Sequence, residues 1–99
     1  MLDSLIDRLQ LIGQVLMSKS PAGDWAACMP DVSARTTTVL RTLSGRGSDL
    51  ESAVQDLWDT AVLADWLVIG AHDRYARSAH RWNGSTWVPV DAEKERHAR

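Results

Sequence analysis

The feature that most constrains this chain is the stretch of residues 48–80, which has the hydrophobic spacing of one long helix. The sequence SDLE at residues 48–51 matches a capping box, in which a serine hydroxyl and a glutamate carboxylate satisfy backbone amides at a helix start. Apolar residues then recur every three or four positions from Leu50 to Ala79. The spacing predicts a helix over about residues 48–80.

The middle of this predicted helix is apolar on nearly every side. Steps of about 100° per residue place Leu63 and Leu67 away from the main stripe, with Trp58 and Trp66 beside it. Such a helix must be covered all round, and more than thirty residues would run to roughly 50 Å, longer than a compact domain of this size is wide. Either the helix breaks near Gly70 or a second copy packs along it, and we favour an antiparallel homodimer.

Three shorter helices, or two helices and a turn, are expected before the long one. Apolar residues at helical spacing predict a helix over about residues 3–18, and Ser20-Pro21 suits the start of a short helix that stops before Pro30. Residues 32–43 fit a further helix, although the β-branched run TTTV at 36–39 would also suit a strand.

The C-terminal part changes to a period of two. Asn83-Gly84 between alternating residues predicts a β-hairpin over about residues 81–90, and a four-residue loop would place Trp82 opposite Trp87. Residues 91–99 are charged and are expected to form a flexible tail. The predicted fold is therefore mainly α: a single helical domain over residues 1–90, with one long helix and a C-terminal hairpin.

Composition is that of a soluble globular protein. The chain has 99 residues, of which 44% are hydrophobic and 24% charged, which suits one domain. The N-terminal segment carries Asp3 and Asp7 and lacks the basic start of a signal peptide. The most apolar run, residues 61–71, is shorter than the roughly 20 residues of a membrane span. We expect a cytoplasmic protein that does not enter a membrane.

Residue patterns that would indicate catalysis or metal binding are weak. His72, His80 and His97 lack the four-residue spacing that places two imidazoles on one helical face for zinc. Cys28 has no histidine nearby in sequence to act as its base, and is expected to be a small buried hydrophobic residue. We predict that the protein is not an enzyme and uses neither a metal nor another cofactor.

We expect the residues that carry the function to lie on the sides of the predicted long helix. Asp65 and His72 break its apolar pattern, either as hydrogen-bonded core groups or as a buried polar pair that fixes the register of a dimer. The expected function is a non-catalytic protein-interaction or regulatory module that self-associates through this helix and binds another protein. The predicted interface consists of Trp58, Leu63, Asp65, Trp66, Leu67 and His72.

Two alternatives remain open. Residues 25–47 have the outline of a DNA-binding helix-turn-helix, although Pro30-Asp31 replaces the usual glycine turn and the net charge is −2. A structural component of a larger assembly, such as a viral particle, would show a similar composition. In the DNA-binding alternative, the contacts would come from Arg35, Thr36, Thr38 and Arg41 on the second helix and from Arg46 on phosphate.

Overall fold

A six-stranded antiparallel sheet with two short helices forms the described part of the chain. The computed structural model describes residues 2–36, 39–70 and 78–90. The prediction of a mainly α fold is therefore wrong. In chain order the elements are α1 (Leu2–Gln10), β1 (Leu16–Lys19), β2 (Trp25–Thr36), β3 (Val39–Gly47), α2 (Leu50–Leu63), β4 (Trp66–Ile69), β5 (Ser78–Trp82) and β6 (Trp87–Val90).

Strand β2 is the centre of the sheet. Strand β3 pairs along one edge of β2, whereas the other edge is shared by β1, opposite residues 25–28, and β4, opposite residues 32–35. Strands β5 and β6 follow beyond β4, so that the order along this side is β1-β2-β4-β5-β6. Among the described residues, the outer edge of β1 therefore has no strand beside it.

A bulge in β2 explains why helices were predicted over residues 20–28 and 32–43. Met29 pairs with Leu43, but the next pair across to β3 joins Ser33 to Thr42, so three residues of β2 have no partner on that side. Before the bulge, the buried apolar residues of β2 are at odd-numbered positions, Ala27 and Met29. After the bulge, they are at even-numbered positions. This change of phase removes the period of two that would have indicated a strand.

The predicted long helix is also wrong, because α2 ends at Leu63. Ala64 caps the helix in an extended conformation, and Trp66–Ile69 then form β4 between β2 and β5. An uninterrupted apolar run suits an interior strand as well as a buried helix. The chain turns at Gly70, which has a φ of 70°. The long helix through which self-association was expected is therefore not formed by the described residues.

The start of α2 lies close to its predicted position, but Asp49 rather than Ser48 is the N-cap. A carboxylate oxygen of Asp49 accepts a hydrogen bond from the backbone N–H of Ser52 at 2.7 Å. This hydrogen bond lowers the pKa of Asp49 below its usual value. The helix therefore begins at Leu50.

The first predicted helix is shorter than expected, and the C-terminal hairpin is present. Helix α1 ends at Gln10, and residues 16–19, whose spacing continued the helical stripe, form β1. Strands β5 and β6 pair with Trp82 opposite Trp87, as the four-residue loop requires. The side chain of Asn83 accepts hydrogen bonds from the backbone N–H groups of Ser85 and Thr86. The predicted tail, residues 91–99, lies outside the described residues.

Helix α2 packs on β3 at unusually close range because two glycines face it. A Cβ atom at Gly45 would lie 2.2 Å from the backbone nitrogen of Leu57, and one at Gly47 would lie 2.5 Å from the Cβ of Ser52. The backbone N–H of Arg46 donates to the Asp56 carboxylate at 2.8 Å. Between the helices and the sheet lies the main core, which includes Leu9, Ala27, Met29, Val32, Leu43, Ala53, Val54, Leu57, Ala61 and Leu67.

We predict that Gly45→Ala lowers the free energy of unfolding by about 2–3 kcal/mol, because the added methyl group forces α2 away from β3. Urea denaturation measures this difference. The matched control is Ser44→Ala at the exposed neighbouring position, which should change stability by no more than about 0.5 kcal/mol. Equal effects of the two substitutions would contradict the close packing of α2 on β3.

Candidate functional site

Three tryptophans from three elements form one aromatic cluster. The ring centroid of Trp58 on α2 lies 5.0 Å from that of Trp82 and 5.9 Å from that of Trp87, and the two hairpin rings are 5.1 Å apart. All three pairs meet edge to face, an arrangement that favours aromatic packing. The cluster therefore joins the hairpin to the helical layer.

The side chain and the backbone of Arg8 complete this cluster. The guanidinium of Arg8 lies 5.6 Å from the ring centroid of Trp58 and 5.7 Å from that of Trp82. The indole N–H of Trp87 donates to the backbone carbonyl of Arg8 at 2.8 Å. Because the protein's own arginine already lies against two of the rings, we assign the cluster to the packing of α1, α2 and the hairpin rather than to a ligand.

Trp66 and Arg35 form a second aromatic contact on the opposite face of the sheet. The two residues are paired between β4 and β2, and the guanidinium lies 4.7 Å from the ring centroid. Trp66 is only 3% exposed. Nearby, the backbone N–H of Asp65 donates to the carbonyl of Arg35, and the backbone carbonyl of Asp65 accepts from Nε of Arg81. These contacts attach the end of α2 to the sheet.

The residues predicted to form an interface do not share one surface. Leu67 is fully buried in the core, whereas Leu63 is 83% exposed at the end of α2. Trp58 belongs to the aromatic cluster, and Trp66 and Asp65 belong to the contacts with β2 and β5. His72 lies outside the described residues.

The predicted helix-turn-helix is wrong, because the described residues, 25–36 and 39–47, form two paired strands and contain no recognition helix. Arg35 stacks on Trp66, and Arg41 is exposed on β3. Thr36 pairs with Val39, Arg46 lies near the end of β3, and Thr38 lies outside the described residues.

Strand β1 is the most open part of the sheet. All four of its residues are exposed, and two of them are large and apolar: Leu16 is 43% exposed and Met17 is 42% exposed. Met17 pairs with Ala27, on the face that carries α2, whereas Leu16 pairs with Cys28 and points to the opposite face. The strand thus combines an edge without a neighbour, among the described residues, with apolar side chains on both faces.

A cavity of about 560 Å³ lies at the far end of β1. The ammonium of Lys19 lies 5.8 Å from the ring centroid of Trp25, the residue directly opposite it on β2. Two backbone hydrogen bonds close the connection between β1 and β2, from Ser20 to the carbonyl of Asp24 and from Gly23 to that of Ser20. The cavity is lined by Ser18, Lys19, Ser20, Asp24, Trp25, Ala26, Arg46 and Gly47.

The local sequence pattern predicts a helix in this region, not the turn between two strands that lines the cavity. Ser20-Pro21 suits a helix start, but Pro-Ala-Gly-Asp over residues 21–24 is equally typical of a turn between strands. That turn would have indicated a hairpin with Lys19 opposite Trp25. Arg46 was selected for a phosphate contact on DNA, and the structure places it at this cavity instead.

Metal-binding groups and membrane-spanning helices are both absent from the described ranges. Over residues 2–36, 39–70 and 78–90, no three side chains of His, Cys, Asp or Glu come close enough together to hold a metal ion. Neither α1 nor α2 has the length and hydropathy that crossing a membrane requires.

We predict that Trp87→Phe lowers the free energy of unfolding by about 1–2 kcal/mol, because it removes the hydrogen bond to Arg8 and weakens two ring contacts. Urea denaturation gives the value. Trp25→Phe removes the same atoms from a half-buried indole outside the cluster and serves as the control. If both variants lose the same stability, the aromatic cluster has no special role in holding the elements together.

Comparisons with protein-family models, with curated proteins and with solved structures find no match to this chain. The geometry of the chain itself, in particular that of β1 and of the cavity at its end, is therefore the basis for its proposed function.

Proposed function

We propose that the protein is a non-catalytic recognition module that binds an extended segment of another protein along the outer edge of β1. In this mode the segment adds a strand to the sheet, and backbone hydrogen bonds supply much of the affinity. The observation that carries the proposal is the exposure of β1, where Leu16 and Met17 present apolar side chains beside an open edge.

The other sheet edges are less suited to an added strand. On β3 the backbone N–H of Arg46 is already bonded to the Asp56 carboxylate of α2, so this donor is not available to an added strand. Strand β6 contains Pro89, which has no N–H to donate to a neighbouring strand. Strand β1 has neither proline nor a bulge, and Lys19 is its one charged residue. Natural sheets usually protect such an edge.

Side chains of β1 would give the interaction its selectivity. Because Leu16 and Met17 lie on opposite faces of the strand, successive residues of a bound segment would contact them alternately. Such contacts favour apolar or β-branched residues on the incoming strand. The site offers hydrogen bonds and apolar contact and uses no reacting group, so the proposed function is binding. A cytoplasmic location and a role in a larger assembly stay predictions.

The test is selection from a phage-displayed library of random linear peptides on the immobilised protein. We expect the enriched peptides to share alternating apolar or β-branched residues, because one face of each contacts Leu16 and the other Met17. Met17→Asp should weaken the selected peptides by about tenfold, since it places a charge beside the added strand.

Leu63→Asp is the matched control, because it makes the same change at an exposed leucine on α2, away from β1. Biolayer interferometry compares the two variants, and circular dichroism confirms that both are folded. A library without enriched peptides, or equal loss of binding in both variants, would contradict the proposal.

A further inference from the structure

We propose that the segment bound on β1 runs antiparallel to it and that β5 closes the site at the C-terminal end of the segment. The site then accepts a short strand whose C-terminal end is free or flexible, and excludes a strand that continues in a straight line. This inference rests on the proposed function and adds to it the direction and the kind of segment that fits.

Strands β1 and β4 lie end to end along one edge of β2. Leu16 is the residue of β1 nearest to β4, and it is paired with Cys28, whereas Ile69 of β4 is paired with Val32. Only residues 29–31 of β2 separate these two pairs. At about 3.3 Å per residue, the distance from Cys28 to Val32 along the strand is at most roughly 13 Å.

Strand β5 lies in line with a strand added to the outer edge of β1. It pairs with the outer edge of β4, and its first residue, Ser78, is opposite Ile69. The added strand and β5 would thus be second neighbours of β2 on the same side. The added strand can therefore continue for only about three residues past the residue opposite Leu16 before it reaches Ser78.

The other end of the added strand is not limited in this way. Beyond Lys19 the chain turns back into β2 over residues 20–24. Strand β2 begins at Trp25, opposite Lys19, and β3 ends in the same row at Gly47. Among the described residues, no strand of the sheet extends past this row. A bound segment can therefore continue here into the rest of its protein.

The direction of the segment decides which of its ends lies at the closed side. Every strand pair of the described sheet is antiparallel, and antiparallel pairing is slightly more stable per residue than parallel pairing. Because β1 runs from Leu16 to Lys19, an antiparallel segment runs from the row of Lys19 towards that of Leu16, in the same direction as β5. Its C-terminal end therefore meets the start of β5.

The closing experiment uses the shortest selected peptide that retains binding, fused directly to a small globular domain at its last residue or at its first residue. We expect fusion at the last residue to weaken binding about tenfold, because the domain collides with the start of β5, and fusion at the first residue to change it by less than about twofold. The controls are the same fusions through a flexible linker of about ten glycine and serine residues, and both should bind as the free peptide does.

The direction is measured separately with a nitroxide spin label at either end of the free peptide, by the loss of amide signals of the protein in nuclear magnetic resonance spectra. A label at the C-terminal end should broaden the signals of Ser78–His80, and one at the N-terminal end those of Ser20 and Gly23. Met17→Asp should weaken every form of the peptide by the same factor, which shows that each form is bound on β1.

Equal binding of the two direct fusions, or spin labels that broaden the opposite sets of signals, would overturn the closed end and the antiparallel direction while leaving binding along β1 intact. If no peptide is selected, or if Met17→Asp leaves every form bound as tightly as before, both this inference and the proposed function are overturned.

Discussion

The close approach of α2 to β3 is the contact on which the rest of the structure depends. Gly45 and Gly47 lack the Cβ atoms that would collide with Leu57 and Ser52, so the helix lies directly on the strand backbone. This position covers the core on one face of the sheet and places Asp56 next to the backbone of Arg46. The bond to Asp56 also takes up one backbone N–H of β3.

A second set of contacts holds the other half of the molecule together. The cluster of Trp58, Trp82 and Trp87 ties the hairpin to α2, and Arg8 attaches α1 to the same three rings. Most of the aromatic side chains that suggested an interface are used inside the fold. The exposed apolar residues of β1 are smaller and less conspicuous in the sequence, yet they lie where an added strand would contact them.

Local patterns predicted the parts of the fold that depend on near neighbours. The hairpin with Trp82 opposite Trp87 follows from alternation and turn chemistry, and α2 begins within two residues of the predicted start. Strand β2 was missed because its bulge shifts the buried positions from odd to even numbers. Strand β4 was missed because an interior strand can be apolar on both faces, as a buried helix is.

The candidate site was harder to predict than the fold, because the openness of β1 is a property of the order of the strands. Leu16 fitted the helical spacing of the first segment, and nothing local distinguishes an edge strand from an interior one. Lys19 and Trp25 become neighbours only when the turn between them forms, and Arg46 reaches the cavity from a third strand. The spacing of residues along the chain does not show which of them become neighbours in the folded sheet.

The most direct test of the central claim is amide hydrogen exchange of Leu16–Lys19 in the free protein, measured by nuclear magnetic resonance. Alternate amides of an edge strand point away from its neighbour. We therefore predict that alternate amides of β1 exchange slowly because they bond to β2, while those between them exchange rapidly with solvent. Slow exchange at all four amides would mean that the edge is already covered, and rapid exchange at all four would mean that β1 is not paired. Either result would contradict the account.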